Sequence, residues 1–284
     1  MATSVSEIDT GPVTLRVAAA IEAAEANAWH DVYAAAPEDW ASEVGIDSYR
    51  VSGALVISWA ASGRRYFSRV IGLGVTEPAS EAAIDRILDG YERAGISKFL
   101  LQSLPHCRPA RYEEWLGERG LEAFDQQDRI IRDGSSLRGG LALRNGLTVE
   151  RVTRETAEEW STFLQAVYRL EAGDWLPLLI GRPGWHQYVA RRDGRIIGAR
   201  GMYIGPGGAA WLGMDGPVPG VTTDDYEPDA ALCEFIVTDG VALGARSFLA
   251  DIEAPSQAFD TPAYTYFARL GFRRPYVRTH YARL

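Results

Sequence analysis

Residues 79–102, ASEAAIDRILDGYERAGISKFLLQ, and residues 228–251, PDAALCEFIVTDGVALGARSFLAD, follow one pattern 149 positions apart. Gly95 falls on Gly244 and Phe99 on Phe248, so a glycine that ends a helix and a core residue of the next strand recur together. Further on, EEWLGERGL (113–121) lies over TYFARLGF (265–272), with Gly120 on Gly271, and NAWHDVYAAA (27–36) resembles EEWSTFLQAVY (158–168). A repeat of this length divides a chain of 284 residues into two copies of one domain. Between the copies, DGSSLRGGLALRNG (133–146) is rich in Gly, Ser and Arg and poor in core residues. It is the expected linker between domains 1–132 and 147–284.

Each copy reads the same way. A short strand (TLRVA; LTVERV) leads into an amphipathic helix. In the second copy Trp160, Phe163, Leu164 and Val167 follow helical spacing, and Thr156 with Glu159 has the form of a capping box. A strand meander follows: YVARRDGRIIGARGMYI turns at Asp193-Gly194, and GPGG turns into AAWLGMD. Next comes a central helix, on which Ile84, Ile87, Leu88 and Tyr91 line one face in the first copy. A strand (SKFLLQ; RSFLAD), a short helix and a last strand (RIIRD; YVRTHYA) close each copy. The predicted order is β-α-β-β-β-α-β-α-β, an α/β (α+β) domain with a mostly antiparallel sheet and one parallel crossover at the central helix.

Composition narrows the function. With 46% hydrophobic residues the chain can build packed cores, and its net charge of −9 argues against a nucleic-acid surface. Acidity suits a small or cationic ligand. Cys107 and Cys233 provide neither a disulfide framework nor metal-ligand spacing, so no metal is expected. No apolar run is long enough to span a membrane, and MATSVSEIDTG lacks the charged and apolar regions of a signal peptide. A cytoplasmic protein is the expectation.

The element order, with a helix closing as F-x-x-L-G-F at Phe267–Phe272, resembles the GCN5-related N-acetyltransferase superfamily. Two such units in one chain are similar to the tandem architecture of mycothiol synthase and related actinobacterial proteins. The resemblance spans roughly residues 13–132 and 147–284 and implies a sheet whose central parallel pair splays apart to admit an acyl-CoA. It implies that the backbone of Asp215, Gly216, Pro217 and Val218 holds the pantetheine arm by strand-like hydrogen bonds. It also implies a pyrophosphate loop of Arg or Gln, two residues, Gly, one residue, then Gly or Ala.

Two departures from that pattern stand out. Counting back from Gly244 places the loop near Thr222–Glu227, where Thr222, Asp225 and Glu227 replace Arg or Gln, Gly and Gly. A helix N-terminus favours anions by roughly 0.3–1 kcal/mol, yet Asp224, Asp225, Glu227 and Asp229 crowd this one. Asp225 also reads as an ordinary N-cap with Pro228 just inside the helix. In the first copy GLGVTEPASEA (72–82) lacks the motif as well, since Glu77 interrupts the pattern begun by Gly72 and Gly74. The second departure is the acid: the family's tyrosine, four residues before the L-G-F glycine, is Phe267 here and Leu116 in the first copy. Tyr266 is turned away by about 100° on a helix, and Tyr264 lies on roughly the same face as Phe267.

Candidate residues follow from these placements. Asp215, Asp251 and Glu253 end the two strands of the expected splay, where a carboxylate can serve as a base or simply as a polar strand end. Tyr264 is the candidate acid. Glu171, Asp174, Trp175 and Trp185, with His186, occupy the segment expected to cover the acceptor, although tryptophans there can equally anchor the loop. His106 beside Cys107, with Arg108 and Arg111 near, lacks the surroundings of a cysteine nucleophile. Arg64, Arg65 and Arg69 read as solvated strand ends rather than a phosphate clamp. The resemblance implies an acyltransferase using acetyl-CoA or another acyl thioester and a small amine, as a monomeric pseudo-dimer of two domains or a weak homodimer. The alternative is a protein of the same fold that does not use acetyl-CoA: a ligand-binding or regulatory module, a lyase, or a transferase using a carrier-protein thioester.

Overall fold

The computed structural model describes residues 11–137, 146–217, 227–253 and 262–284, the side chains of Pro217, Glu253 and residues 262–265 excepted. Contacts group the chain into two units. Among the described residues, the N-terminal unit holds Pro12–Asp128, Glu253 and the chain's last segment, Tyr276–Leu284; the C-terminal unit holds Gly11, Arg129–Ile252 and the stretch from Pro262 to Pro275.

The first half contributes α1 (Leu15–Ala34), α2 (Glu38–Val44), β1 (Ile46–Val51), β2 (Ala54–Trp59), β3 (Arg69–Ile71), α3 (Glu81–Arg93), β4 (Leu100–Ser103), α4 (Tyr112–Glu118) and β5 (Glu122–Asp133). The expected opening strand, TLRVA, is instead the start of α1. Thr14 caps that helix by accepting a hydrogen bond from Val17 N–H at 3.4 Å, and the alanine-rich sequence that follows has high helix propensity. β1 and β2 form a hairpin, β3 adds antiparallel to β2, and β3 pairs parallel with β4 after the α3 crossover. α3 buries the predicted face: Ile84, Ile87, Leu88 and Tyr91 pack on Val56, Val70 and Leu101.

The second half contributes β6 (Leu147–Arg151), α5 (Ala157–Tyr168), β7 (Trp185–Arg192), β8 (Arg195–Ile204), β9 (Ala209–Pro217), α6 (Glu227–Ala242), β10 (Ser247–Glu253), α7 (Pro262–Arg269) and β11 (Arg273–Ala282). This order matches the predicted one in full. The β7–β8 turn falls at Asp193-Gly194, both with positive φ (51° and 77°), as a two-residue hairpin loop requires. The capping box does not form. Thr156 has a near-helical backbone, its hydroxyl accepts from Thr153 N–H at 3.0 Å, and Glu159 pairs with Arg191 at 2.6 Å instead. Within this unit the strand order is β10-β9-β8-β7-β6, and β9 and β10 are its parallel pair.

Both closing strands are longer than expected and cross the unit boundary, β5 between Asp128 and Arg129 and β11 between Pro275 and Tyr276. In the N-terminal unit the order is therefore β1-β2-β3-β4-β11-β5, with Thr279, His280 and Tyr281 of β11 antiparallel to Ser103, Gln102 and Leu101 of β4. Most of the expected linker, 138–145, lies outside the described residues.

Candidate functional site

In the C-terminal unit the ladder between the parallel strands covers Ser247–Leu249 against Ala209–Trp211, and both strands run on past it. β9 continues six residues to Pro217 and β10 four residues to Glu253. The departure of β9 has a local cause. Its register against β8 jumps between Gly201↔Gly213 and Ala199↔Gly216, so Arg200 faces both Met214 and Asp215, and Met214 adopts φ 53°. This is a β-bulge, which bends its strand and re-aims a side chain.

The side chain it aims is Asp215. Arg200 Nη2 lies 2.9 Å from Asp215 Oδ2 and 2.9 Å from Asp229 Oδ1, with Arg200 Nε at 3.2 Å from the same Asp229 oxygen. Tyr266 on α7 donates its hydroxyl to the other oxygen of Asp229, on the first turn of α6. The Arg200 side chain is 5% exposed and lies over the Phe267 ring, whereas that of Asp215 is 46% exposed. Although the side chain is half exposed, the protein around it desolvates the Asp215 carboxyl enough to push it above the usual carboxylate range, with Arg200 opposing and Asp229 adding to the rise. Burial likewise raises the Tyr266 phenol well above its ordinary value. Two residues earlier, in the same turn, Glu227 pairs with Arg192 at 3.1 Å. Two of the four acids at the head of α6 are thus bound by arginines from β7 and β8 rather than solvated; Asp224 and Asp225 lie outside the described residues.

The other expected residues are scattered more widely. The Asp215 carbonyl accepts from Tyr168 at 2.9 Å, and Gly216 and Pro217 face Ala199 and Gly198 of β8, while Val218 lies outside the described residues. Asp251 is bound to the fully buried Arg129 at 3.3 Å. Glu253 ends β10 and Tyr264 lies in α7, both with side chains outside the described set. Glu171 and Asp174 are exposed, but Trp175 and Trp185 are buried. Trp185 packs on Tyr203 and Trp211 with ring centroids 5.0 and 6.3 Å apart, as an anchor does. Half-buried His186 has its imidazole pushed below its ordinary value by burial and by Arg151.

The equivalent opening in the N-terminal unit is closed by its own chain. Arg108 N–H donates to Gly74 carbonyl at 2.9 Å, Ala79 N–H donates to Arg108 carbonyl at 2.7 Å, and the Arg108 guanidinium donates to Val75 carbonyl at 2.9 Å. Gly74 has φ 81°, and a Cβ there would stand 3.0 Å from the Arg108 carbonyl oxygen, so the approach needs glycine. Cys107 donates its thiol to Leu73 carbonyl at 3.3 Å, and burial pushes that thiol up to about 12. It is a protonated, inert group at neutral pH. His106 is held by Val13 carbonyl at 2.8 Å.

Arg69 is not a solvated strand end. It is buried over the Trp29 ring and 3.5 Å from Glu25, because two further charges inside this unit demand partners. Arg278 of β11 reaches Glu22 at 3.3 Å and also binds Glu25, while Tyr276 donates to Glu22 at 2.8 Å. Beside them His280 Nδ1 lies 2.6 Å from Asp125, which also accepts from Tyr66. Sequence reasoning set Tyr266 aside as turned away and missed Arg200, Glu22, Glu25 and Arg278. The available signal was a charged residue amid apolar or small neighbours, as in RIIGARGMYI and AAAIEAAEANAW.

No family model matches the chain, and no curated protein matches it. Solved structures do. A GCN5-related N-acetyltransferase from Kribbella flavida superposes with a TM-score of 0.64 at 14% identity, covering 93% of this chain and 95% of that one. One from Sphaerobacter thermophilus gives 0.56 at 11% identity over 80% and 79% of the two chains. A tandem GNAT protein from the clavulanic acid biosynthesis pathway gives 0.53 at 13% identity over 80% and 77%. The chain shares the fold of these proteins, the third of them a tandem GNAT protein, and at such identities the likeness is one of fold.

Proposed function

Starting from the tandem GCN5-related N-acetyltransferase fold, we propose that this protein is an N-acyltransferase that moves an acyl group from a thioester to a small amine. The observation that carries the reading is the parting of β9 and β10 with the half-exposed carboxylate of Asp215 at its rim. The donor site is assigned to the C-terminal unit because the loops of the N-terminal unit bond to each other across the corresponding gap.

A bound thioester supplies an activated acyl group. Asp215 or Glu253 takes the proton from the incoming ammonium, so that the nitrogen lone pair forms the C–N bond as the C–S bond breaks. Tyr264, or water, returns a proton to the departing sulfur. Asp251, bound to Arg129, anchors its strand rather than acting as the base. The exposed Glu171 and Asp174 suit a cationic acceptor, as does the net charge of −9.

The parted strands fit an extended thioester arm, to which Pro217 can offer only its carbonyl. The described first turn of α6 does not fit a diphosphate, since it presents Glu227 and Asp229 with their arginines already engaged. Acetyl-CoA is therefore expected to bind in the high-micromolar range or more weakly by calorimetry. A thermal-shift screen of CoA thioesters, shorter pantetheine thioesters and amines, followed by mass spectrometry of the amines, tests the reading. Acyl transfer that falls in Glu253→Gln or Asp215→Asn supports it. Low-micromolar acetyl-CoA binding would overturn the weak-diphosphate expectation, and absence of transfer from every thioester would overturn the acyltransferase itself.

A further inference from the structure

Four elements of the C-terminal unit each give one side chain to a single hydrogen-bonded chain: Tyr266 from α7, Asp229 from α6, Arg200 from β8 and Asp215 from β9. We propose that Asp215 is the proton-accepting carboxylate of this chain and Asp229 the anchored one, with Arg200 and Tyr266 as positioning residues that keep the two roles apart. The proposal rests on the acyltransferase reading and specifies which carboxylate does its proton transfer.

The geometry is unequal on the two sides of Arg200. Asp229 receives two contacts from the guanidinium and one from Tyr266, and it stands in the first turn of a helix where free N–H groups favour a negative charge. Asp215 receives one side-chain contact, at 2.9 Å, and faces solvent. One guanidinium between two carboxylates leaves one negative charge in excess. An arriving proton goes to the carboxylate with fewer donors. That carboxylate is the one at the rim of the parted strands. The bulge at Met214 places it there, by setting Asp215 opposite Arg200.

Among the described residues, the remaining groups nearby do not compete for the proton. Burial keeps the Cys233 thiol of α6 protonated, Tyr168 of α5 is engaged with the Asp215 carbonyl, and Glu227 is paired with Arg192. The ammonium proton lost in acyl transfer therefore passes to Asp215 Oδ1 or Oδ2 and on to solvent, and Asp215 is regenerated as a carboxylate.

Carbon-13 NMR of aspartate carboxyls in the full chain tests this, with Asp215→Asn to assign the signal. In the wild type Asp215 titrates in a single step. In Asp229→Asn its midpoint falls by about half a unit or more, the scale set by removing one neighbouring charge. In Tyr266→Phe, Asp229 loses a donor and the Asp215 curve broadens into the two steps of a pair sharing a proton. An unmoved midpoint in Asp229→Asn together with a single step in Tyr266→Phe would overturn the proposal. The acid limb of the pH–rate profile for transfer from a pantetheine thioester follows the same shifts. Shifts without any acyl transfer would sink the acyltransferase reading and leave the division of roles intact. Transfer at full rate in Asp215→Asn would remove Asp215 and leave the acyltransferase.

Discussion

His280 shows what burial does to a single titratable residue. Its side chain is fully buried, with Nδ1 bonded to Asp125 and Nε2 3.3 Å from the Gln102 amide, whose oxygen accepts from Arg278 at 3.3 Å. Burial lowers the imidazole below its ordinary 6.5, and the hydrogen bond to Asp125 opposes this without reversing it. The folded state therefore takes up a proton at lower pH than the unfolded chain. The stability this confers is present above the unfolded value and is lost as pH falls below it, by up to about 1.4 kcal/mol per pH unit. Asp125 acts in the same direction at lower pH: burial alone would raise it, but the hydrogen bonds from His280 and Tyr66 hold it down. The N-terminal unit should melt progressively earlier from pH 7 to pH 5, and His280→Gln should flatten that slope. Equal slopes in differential scanning calorimetry would exclude His280 as the cause. None of this was visible locally, because THYARL reads as an ordinary strand end.

Between elements, close approaches fix positions that periodicity leaves open. The end of α5 sits on the bulged end of β9, where a Cβ on Gly216 would stand 2.3 Å from Val167 Cγ1. Gly216→Ala should therefore destabilise the protein by about 1–3 kcal/mol in urea unfolding, and adding Val167→Ala should recover much of the loss. An unchanged midpoint in the single variant would mean that α5 moves freely off β9. The hydrophobic spacing of α3 and α5 and the Asp193-Gly194 turn were legible because their causes lie within a few residues. The first strand was misread because TLRVA is apolar enough for either period, and the alanines after it decide for helix. Arg200 escaped notice because its meaning depends on Asp229 and Tyr266, 29 and 66 positions away.

At the scale of the whole chain, the strand that completes the N-terminal unit comes from the other end of the sequence. A protein ending at Pro275 would lack the strand between β4 and β5, and with it Arg278 and His280 as partners of Glu22, Glu25 and Asp125. Buried carboxylates left without their arginine are strongly destabilising. Hydrogen exchange should then show β1–β4 losing most of their protection while β7 and β8 keep theirs; retained protection in β2 would refute the dependence.

The sequence by itself determined that there are two copies of one domain, the order of elements in the second, the parallel crossover and the acids at the head of α6. Those features follow from spacing, turn residues and composition, which act within one element or recur along the chain. Only the tertiary structure decided which strand end closes the N-terminal unit, that Arg108 fills its gap, and that Asp215, Arg200, Asp229 and Tyr266 form one chain. Each of these depends on burying charges and backbone groups from distant segments against one another, and no local spacing encodes which partner will satisfy them.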